Sequence, residues 1–157
     1  MDIEKTASIA FERVKGISEL YNRLLLVAGP VASGKTTLLR RMSALSGYPM
    51  LNVGMELSRQ MLELTERQRI IELPKRLEDL ISGRGSHVVL LDNTEFLFLS
   101  DLKQDALALL KGASRNHTMV VSWLGTCDHE HLQFGTPDHR EFKTYSRSGL
   151  ELIELRR

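Results

Sequence analysis

Residues 29–36, GPVASGKT, have the types and spacing of a phosphate-binding loop. They fit the pattern G-x-x-x-x-G-K-T, follow the apolar run LLLVA and precede a helical pattern. Glycines let backbone N–H groups curve around an anion, and the first turn of the next helix adds partial positive charge. Lys35 would contact the β- and γ-phosphates, and Thr36 would coordinate Mg²⁺. The predicted ATP-binding residues are Gly29, Pro30, Val31, Ala32, Ser33, Gly34, Lys35, Thr36 and Thr37.

A second acidic motif, VVLLDNTEFL at residues 88–97, has the pattern of a buried strand that ends at a metal site. Four apolar residues run into Asp92, which lies 57 residues after Lys35. Because parallel strands end at a shared edge of the sheet, Asp92 and the phosphate loop are predicted to converge. Asp92 would then hold Mg²⁺ together with Thr36. The alternative is an aspartate that only begins a turn.

The sequence offers two candidates for the general base. Most ATPases of this kind have a glutamate directly after the aspartate, but here Asn93 stands there, which can hold water and cannot take its proton. Glu95 is favoured because it follows the metal-binding strand by three residues. Glu56, behind the second strand, is the other candidate. The alternatives are a surface or capping carboxylate at Glu95 and a first-turn helix residue at Glu56.

An alternating series of strands and helices is predicted to position these groups. Apolar runs predict parallel strands at residues 23–29, 48–54, 87–92 and 118–125. Helices are predicted at residues 33–45, 57–71, 74–83 and 101–115, with Pro74 in a first turn and Ser100 as a cap. Residues 126–140 are expected to form a polar loop, and residues 141–146 and 150–157 two short strands, joined as a hairpin at SRSG.

This pattern predicts an α/β protein with a P-loop NTPase core, a mostly parallel sheet flanked by helices and no helical lid domain. Residues 1–22 are predicted to form an amphipathic helix packed on the core, with Tyr21 on its apolar face, and residues 23–157 a single NTPase domain. The chain ends at LELIELRR with no room for a lid. We therefore expect neighbouring subunits or partner proteins to complete the site.

The composition limits the classes of partner. With 21 basic and 20 acidic residues among 157, the chain does not resemble a cationic protein that coats nucleic acid. A single cysteine suits a reducing cytoplasm. The charged N-terminus lacks the apolar core of a signal peptide, and no apolar run is long enough for a membrane span. Four residues could suit zinc, although their spacing matches no common site and a polar loop is the favoured interpretation: Cys127, His129, His131 and His139.

Five stretches, in this order, carry a family resemblance: GPVASGKTTLL, NVGMELS, ELTERQR, LLDNTEFLF and LKGASRNHTMVVSW. From about residue 24 to residue 125 the chain resembles BrxF, the small P-loop protein of the third type of bacteriophage-exclusion (BREX) system. The D-N-x-E form at Asp92–Glu95 also resembles the STAND ATPases. The resemblance implies ATP binding, slow or regulated hydrolysis, and work inside a defence complex that distinguishes host from phage DNA by methylation.

Related AAA-type ATPases suggest two further site residues. Ser122, near the end of the fourth strand, occupies the place of a polar sensor of the γ-phosphate; the alternative is a strand hydroxyl satisfied by the backbone. Arg115, just before that strand, occupies the place of an arginine that reaches into the next subunit's site, where a planar charged guanidinium suits the transferring phosphoryl group. The alternative is a solvated arginine at a helix end.

The sequence therefore predicts an ATPase that uses ATP and Mg²⁺ within a bacterial phage-defence complex. Its expected partners are further copies of itself and other defence proteins, with DNA contacted through the complex and no membrane. Two other functions stay open. One is a nucleotide-responsive scaffold with little hydrolysis, because of Asn93. The other is a small-molecule kinase that binds a second phosphate with the arginines of residues 67–76.

Overall fold

A mostly parallel sheet lies at the centre of the protein, whose computed structural model describes residues 2–156. The strands are β1 (Leu24–Gly29), β2 (Met50–Asn52), β3 (Val88–Asp92), β4 (Thr118–Cys127), β5 (His131–Phe134), β6 (Lys143–Ser146) and β7 (Glu151–Glu154). Five of them pair in parallel in the order β2-β3-β4-β1-β7, and β5 and β6 extend from β4 as an antiparallel ribbon.

Helices cover both faces of this sheet. They are α1 (Ile3–Ile17), α2 (Lys35–Ser46), α3 (Val53–Met61), α4 (Glu66–Ser82) and α5 (Ala106–Ala113), with 3₁₀ turns at Thr94–Phe98 and Ser100–Leu102. Alternate residues of β1 enter different cores. Leu25 and Val27 pack against α1 and α2, whereas Leu24 and Leu26 pack against α3, α4 and α5. This two-sided cover explains why every residue of β1 is buried. No helix within residues 2–156 is long and apolar enough to cross a membrane.

The strand register brings four positions to one edge of the sheet. Gly29 at the end of β1 pairs with Leu124 of β4, and Asn52 at the end of β2 pairs with Asp92 at the end of β3. The phosphate loop and the acidic motif therefore begin at the same edge.

The first helix is shorter than the sequence suggested. Asp2 caps it through a hydrogen bond from the Lys5 backbone N–H, and it ends at Ile17 rather than near residue 22. The helix runs through Gly16 without a break. Tyr21 was expected on the apolar face but is 71% exposed, so the buried stripe ends with the helix.

The predicted position of Pro74 was wrong, because this residue lies inside α4. The helix begins earlier, where Thr65 and Gln68 form a reciprocal capping box. A proline in a helix interior leaves the carbonyl four residues before it without a donor. Here that carbonyl belongs to Ile70, and the Gln104 side-chain amide donates to it at 2.8 Å. The side chain of Gln104 thus supplies the donor that Pro74 lacks.

We expect Gln104→Ala to lower the free energy of unfolding by about 1–3 kcal/mol, the usual penalty for an unsatisfied half-buried carbonyl. In a Pro74→Ala background the alanine N–H restores the missing donor, so the same change should destabilise less. Urea unfolding of the four proteins measures both losses. Equal losses in the two backgrounds would contradict the proposed compensation.

The predicted start of the fifth helix was also wrong. Ser100 begins a short 3₁₀ turn, and α5 begins only at Ala106, where Asp105 accepts a hydrogen bond from the Ala108 N–H. Lys103 adopts a left-handed conformation between the two, with φ 50°. This conformation separates the turn from the helix.

The C-terminal third differs most from expectation. Residues 126–140 do not form one loop, because β4 continues to Cys127 and β5 follows after a turn. The Asp128 carboxylate accepts from two backbone N–H groups in that turn. Nor do β6 and β7 form a hairpin: β6 pairs with β5, and β7 pairs in parallel with β1. The open edge of β1 accepts β7 because Leu152 and Leu155 become buried there.

Candidate active site

The phosphate loop connects β1 to α2 in a tightly curved path. Ala32 and Gly34 have φ angles of 61° and 99°, in the left-handed region that favours glycine. A side chain at Gly29 would place its Cβ 2.2 Å from the Ser33 Oγ and 3.1 Å from the Leu155 carbonyl oxygen. The loop geometry therefore requires the motif's first glycine.

Lys35 occupies the inside of this loop. Its Nζ donates hydrogen bonds to the carbonyl oxygens of Gly29 at 2.8 Å and Pro30 at 2.7 Å. Burial lowers the pKa of Lys35, and the nearby carboxylates of Glu95 and Asp92 oppose that change. The ammonium is half-buried among groups that stabilise its charge. A positive charge therefore lies inside the loop, at the place where a phosphate would bind.

Thr36 and Asp92 meet directly. The Thr36 Oγ1 donates to the Asp92 Oδ2 at 2.8 Å, although 56 residues separate them. A hydroxyl and a carboxylate are hard oxygen donors of the kind that Mg²⁺ prefers. The donor set therefore fits magnesium, while the assignment of these residues as its ligands stays a prediction.

Asn93 is held by a residue that sequence reasoning missed. It has a left-handed conformation with φ 54°, and its Nδ2 donates to the Asn52 Oδ1 at 3.0 Å. The same Asn52 oxygen caps α3 by accepting from the Met55 N–H. The signal was present in the sequence as a polar residue at the end of the second strand. The parallel register that places it beside Asp92 was needed to interpret it.

Glu95 lies on a turn that is braced on two sides. On one side the buried Thr94 hydroxyl donates to the Ser122 carbonyl oxygen. On the other side the Phe98 ring stacks on Phe134, with ring centroids 3.6 Å apart. Glu95 lines the same groove as Lys35. The braced turn thus holds this carboxylate close to the phosphate loop.

Glu56 has a different environment. It lies in the first turn of α3, as the alternative interpretation expected, and its carboxylate is 4.0 Å from the Arg84 guanidinium. It is not among the residues that line the groove at the phosphate loop. The choice of Glu95 over Glu56 stays a prediction, and this geometry is in its favour.

We call this depression the phosphate groove. Its volume is about 350 Å³. It is lined by Val31, Ala32, Lys35, Thr36, Asn52, Asp92, Asn93, Glu95 and Leu124. Pro30, Ser33 and Thr37 belong to the loop and the first turn of α2 but do not line the groove. The groove therefore unites one ammonium group, a hydroxyl, two carboxylates and two amides.

Ser122 and Arg115 lie outside the phosphate groove. Because β4 is longer than predicted, Ser122 is in mid-strand, where its Oγ is buried without a hydrogen-bond partner among residues 2–156. Arg115 precedes β4 and therefore lies at the opposite edge of the sheet from the phosphate loop. It cannot serve its own site from there, and its predicted role in a neighbour's site stays a prediction, as does the sensor role of Ser122.

The four residues whose types could suit zinc do not come together as a metal site. Within residues 2–156 no group of three or more histidine, cysteine or acidic side chains could hold a metal ion. Cys127 instead donates to the Glu154 carboxylate through its backbone N–H and its thiol, both at 3.2 Å. Burial raises the pKa of this thiol, and the hydrogen bond from the thiol is the main cause of the lowered pKa of Glu154.

Solved structures settle the fold. The AMPPCP-bound DnaA from Aquifex aeolicus is 19% identical, with a TM-score of 0.52, over 94% of this chain and 44% of that chain. A replication initiator DnaA bound to AMPPCP and single-stranded DNA is 21% identical, with a TM-score of 0.51, over 94% of this chain and 45% of that one. The chain has the P-loop NTPase fold.

The P-loop NTPase assignment confirms the predicted fold class. The chain spans less than half the length of the two solved structures compared with it. No protein-family model matches it, and no curated protein sequence is significantly similar to it. At 19–21% identity these comparisons concern the fold alone. They show no activity for this chain, and the residues of the phosphate groove are the basis of the proposed activity.

Proposed function

We propose that this chain binds ATP with Mg²⁺ and hydrolyses it slowly, as a BrxF-like component of a bacterial phage-defence complex in the cytoplasm. The observation that supports the proposal most is the contact between the Thr36 hydroxyl and the Asp92 carboxylate at 2.8 Å, beside the loop that surrounds Lys35. Phosphoryl transfer depends mainly on positioning and on stabilising charge, and these residues can supply both.

Four side chains of the phosphate groove have distinct parts in this proposal. The loop N–H groups and the Lys35 ammonium bind the phosphates, and Thr36 and Asp92 hold the magnesium ion, which would neutralise charge on the phosphate oxygens when bound. Glu95 accepts a proton from the attacking water. Asn93 cannot accept that proton, so hydrolysis is slow compared with an ATPase that has a glutamate at this position.

The place in phage defence is supported by the resemblance of residues 24–125 to BrxF. The partners that follow from it are other proteins of the defence system, with DNA contacted through the complex. Co-purification of tagged protein from a host that carries a complete system of this type tests it. Recovery of the chain without any protein of that system would count against the role in defence and leave the ATPase proposal standing.

A nucleotide-responsive scaffold is the second candidate, and one contact favours it. The Asn93 amide is bonded to Asn52, so the position that usually holds the base carries a structural hydrogen bond. The kinase alternative has less support, because two of the arginines expected to bind a second phosphate already have partners within the protein. Arg76 donates to Glu72 and Gln60, and the Nε of Arg69 donates to the Leu64 carbonyl oxygen.

Phosphate release from ATP without an added acceptor separates the three functions. The ATPase proposal expects slow release that requires Mg²⁺ and is lost in Asp92→Asn. Binding without release, also in the presence of partners and DNA, would establish the scaffold. ADP formation that requires an added phosphate acceptor, with the phosphoryl group transferred to that acceptor and no free phosphate released, would establish the kinase.

We further expect turnover to rise faster than linearly with protein concentration and to fall in Arg115→Ala. The physical reason is that Arg115 lies too far from its own phosphate groove and can act only in a second copy. Lys111→Ala, which removes another cation near the end of α5, is the matched control and should leave turnover unchanged. Light scattering with a non-hydrolysable ATP analogue measures assembly in parallel. A strictly monomeric protein, or full turnover in Arg115→Ala, would contradict this expectation.

A further inference from the structure

A second depression, here called the Leu62 groove, borders the turn that carries Glu95. Its volume is about 400 Å³. One half of its lining comes from α3 and α4, and the other half comes from the two 3₁₀ turns that follow β3. Leu62 on the helical half and Leu99 on the turn half are 75% and 42% exposed. Exposed apolar residues around a groove are typical of a surface where another chain docks.

The two halves of the groove carry charges of opposite sign. On the helical half the Arg69 Nε donates to the Leu64 carbonyl oxygen at 3.1 Å, which holds the guanidinium in place. On the turn half Asp101 is exposed. Within residues 2–156 neither side chain has an oppositely charged group within salt-bridge distance. Each charge is therefore open to a partner from another molecule.

Glu66 is the third charged residue that lines the groove. It is the first residue of α4 and follows the Thr65 cap. A carboxylate at this position complements the partial positive charge of the helix N-terminus. Glu66 thus has a favourable place within its own helix, and the pairing of charges across the groove depends on Arg69 and Asp101.

A surface with both signs of charge, and with an exposed leucine in each half, is complementary to a second copy of itself. In a two-fold contact the same surface is used twice, so that residue i meets residue j and residue j meets residue i. An axis between the halves places the helical half of each copy over the turn half of the other. Arg69 then faces Asp101 of the second copy, and Leu62 faces its Leu99. Charge and apolar surface are both matched, and each match occurs twice.

This contact is different from the one expected of Arg115. Arg115 precedes β4 and lies at the opposite edge of the sheet from the phosphate loop, whereas the groove lies beside the turns that follow β3. Phe96 lines the groove and directly follows Glu95. A two-fold contact here would therefore join the Glu95 turns of two copies and leave Arg115 outside the interface.

We propose that two copies of this chain associate about a two-fold axis through the Leu62 groove, with Arg69 of each copy paired to Asp101 of the other. The contact goes beyond the proposed ATPase function and does not depend on it. Only an effect of the contact on hydrolysis, through the Glu95 turn, rests on that function.

Charge reversal tests the contact by sedimentation velocity in the absence of nucleotide. The reference protein is Arg115→Ala, which removes the separate contact expected of Arg115, and every variant is made in it. Arg69→Glu and Asp101→Arg each bring like charges together in a dimer of identical copies, so each should raise the dimer dissociation constant at least tenfold. An equimolar mixture of the two should restore the dimer, because in the mixed dimer one pair is reversed in sign and the other is unchanged.

Arg67→Glu is the matched control. Arg67 is exposed on α4, two residues before Arg69, and does not line the groove, so this variant should dimerise as the reference does. Circular dichroism verifies that each variant is folded. If a charge variant fails to fold, Leu62→Ala and Ile71→Ala give a second comparison. Ile71 is 65% exposed and does not line the groove, so only Leu62→Ala should raise the dissociation constant, by several-fold.

The outcomes separate the contact from the proposed function. A reference protein that stays monomeric at the highest concentration measured would overturn the inference. A mixture as dissociated as the separate variants would overturn it too, since Arg69 would then not face Asp101. Equal weakening by Arg67→Glu would reveal a general effect of charge and would also reject the contact. Restoration in the mixture, together with no phosphate release by wild type, would uphold the contact and reject the ATPase function.

Discussion

Lys35→Ala is expected to abolish detectable magnesium-dependent ATP binding while the protein remains folded. Among residues 2–156 the Lys35 ammonium is the only cation that lines the phosphate groove, and two carboxylates share the groove with it. Removal of one partner from a buried charge pair typically costs about 2–5 kcal/mol. Without the ammonium, Asp92 and Glu95 would also repel the phosphates. Isothermal titration calorimetry measures the loss.

The fold should tolerate this change because the Lys35 side chain bonds to the phosphate loop and does not belong to either apolar core. Lys75→Ala is the matched control, since that lysine lies on α4 with its side chain 82% exposed. Both variants should unfold at urea concentrations close to that of wild type. Unchanged ATP affinity in folded Lys35→Ala would contradict the assignment of residues 29–36 as a phosphate-binding loop.

Glu95→Gln is expected to retain ATP binding and to lose most hydrolysis. Removal of a general base typically lowers the rate by about 10²–10⁴-fold. Glutamine keeps the size and hydrogen-bonding capacity of the side chain but cannot accept a proton from water. Phosphate release gives the rate, and calorimetry gives the affinity independently.

Glu56→Gln serves as the comparison and should lose much less activity. Its carboxylate lies near Arg84 rather than at the phosphate groove. If Glu56→Gln is inactive while Glu95→Gln turns over, the base lies on α3 and the assignment of Glu95 as the base is wrong. If wild type is itself inert, including with partners and DNA, the scaffold function is correct.

Asn93→Glu tests whether the site lacks only its general base. The structure gives this substitution two costs that work against a gain of turnover. A glutamate at Asn93 would have to adopt a left-handed conformation, which asparagine tolerates better. It would also lose the hydrogen bond to Asn52. A gain of turnover in spite of both losses would show that a carboxylate at this position is sufficient.

The parts of the site that could be predicted depend on short, local patterns. The motif around Lys35 and the apolar run before Asp92 determine which residues lie in the loop and at the strand end. The alternation of apolar runs with helices indicated the parallel sheet. The closeness of Thr36 to Asp92 then follows from the rule that parallel strands end at a shared edge of the sheet.

The parts that could not be predicted depend on contacts between distant segments. Pro74 is tolerated inside a helix because Gln104, 30 residues later, bonds to the freed carbonyl. Strand β5 lies inside the predicted polar loop. His131 and Gln133 alternate with Leu132 and Phe134, which is the period of a strand, but the run is only four residues long and lies between polar segments.

The pairing of the last strand and the role of Asn52 also required the assembled sheet. Strand β7 could have closed a hairpin with β6, and only the free edge of β1 decides against it. Asn52 had no local signal beyond its polarity. Its importance comes from the register that places it opposite Asp92.

The aromatic packing beneath Glu95 gives the protein a built-in optical probe. Trp123 is the single tryptophan of the chain, and its ring meets that of Phe98 edge-on, with centroids 5.0 Å apart. Phe98 and Glu95 belong to the same turn, so a displacement of this turn changes the surroundings of the indole. Intrinsic fluorescence therefore reports on the turn without an attached dye. Rapid mixing with ATP can then separate in time the movement of the turn from the release of phosphate.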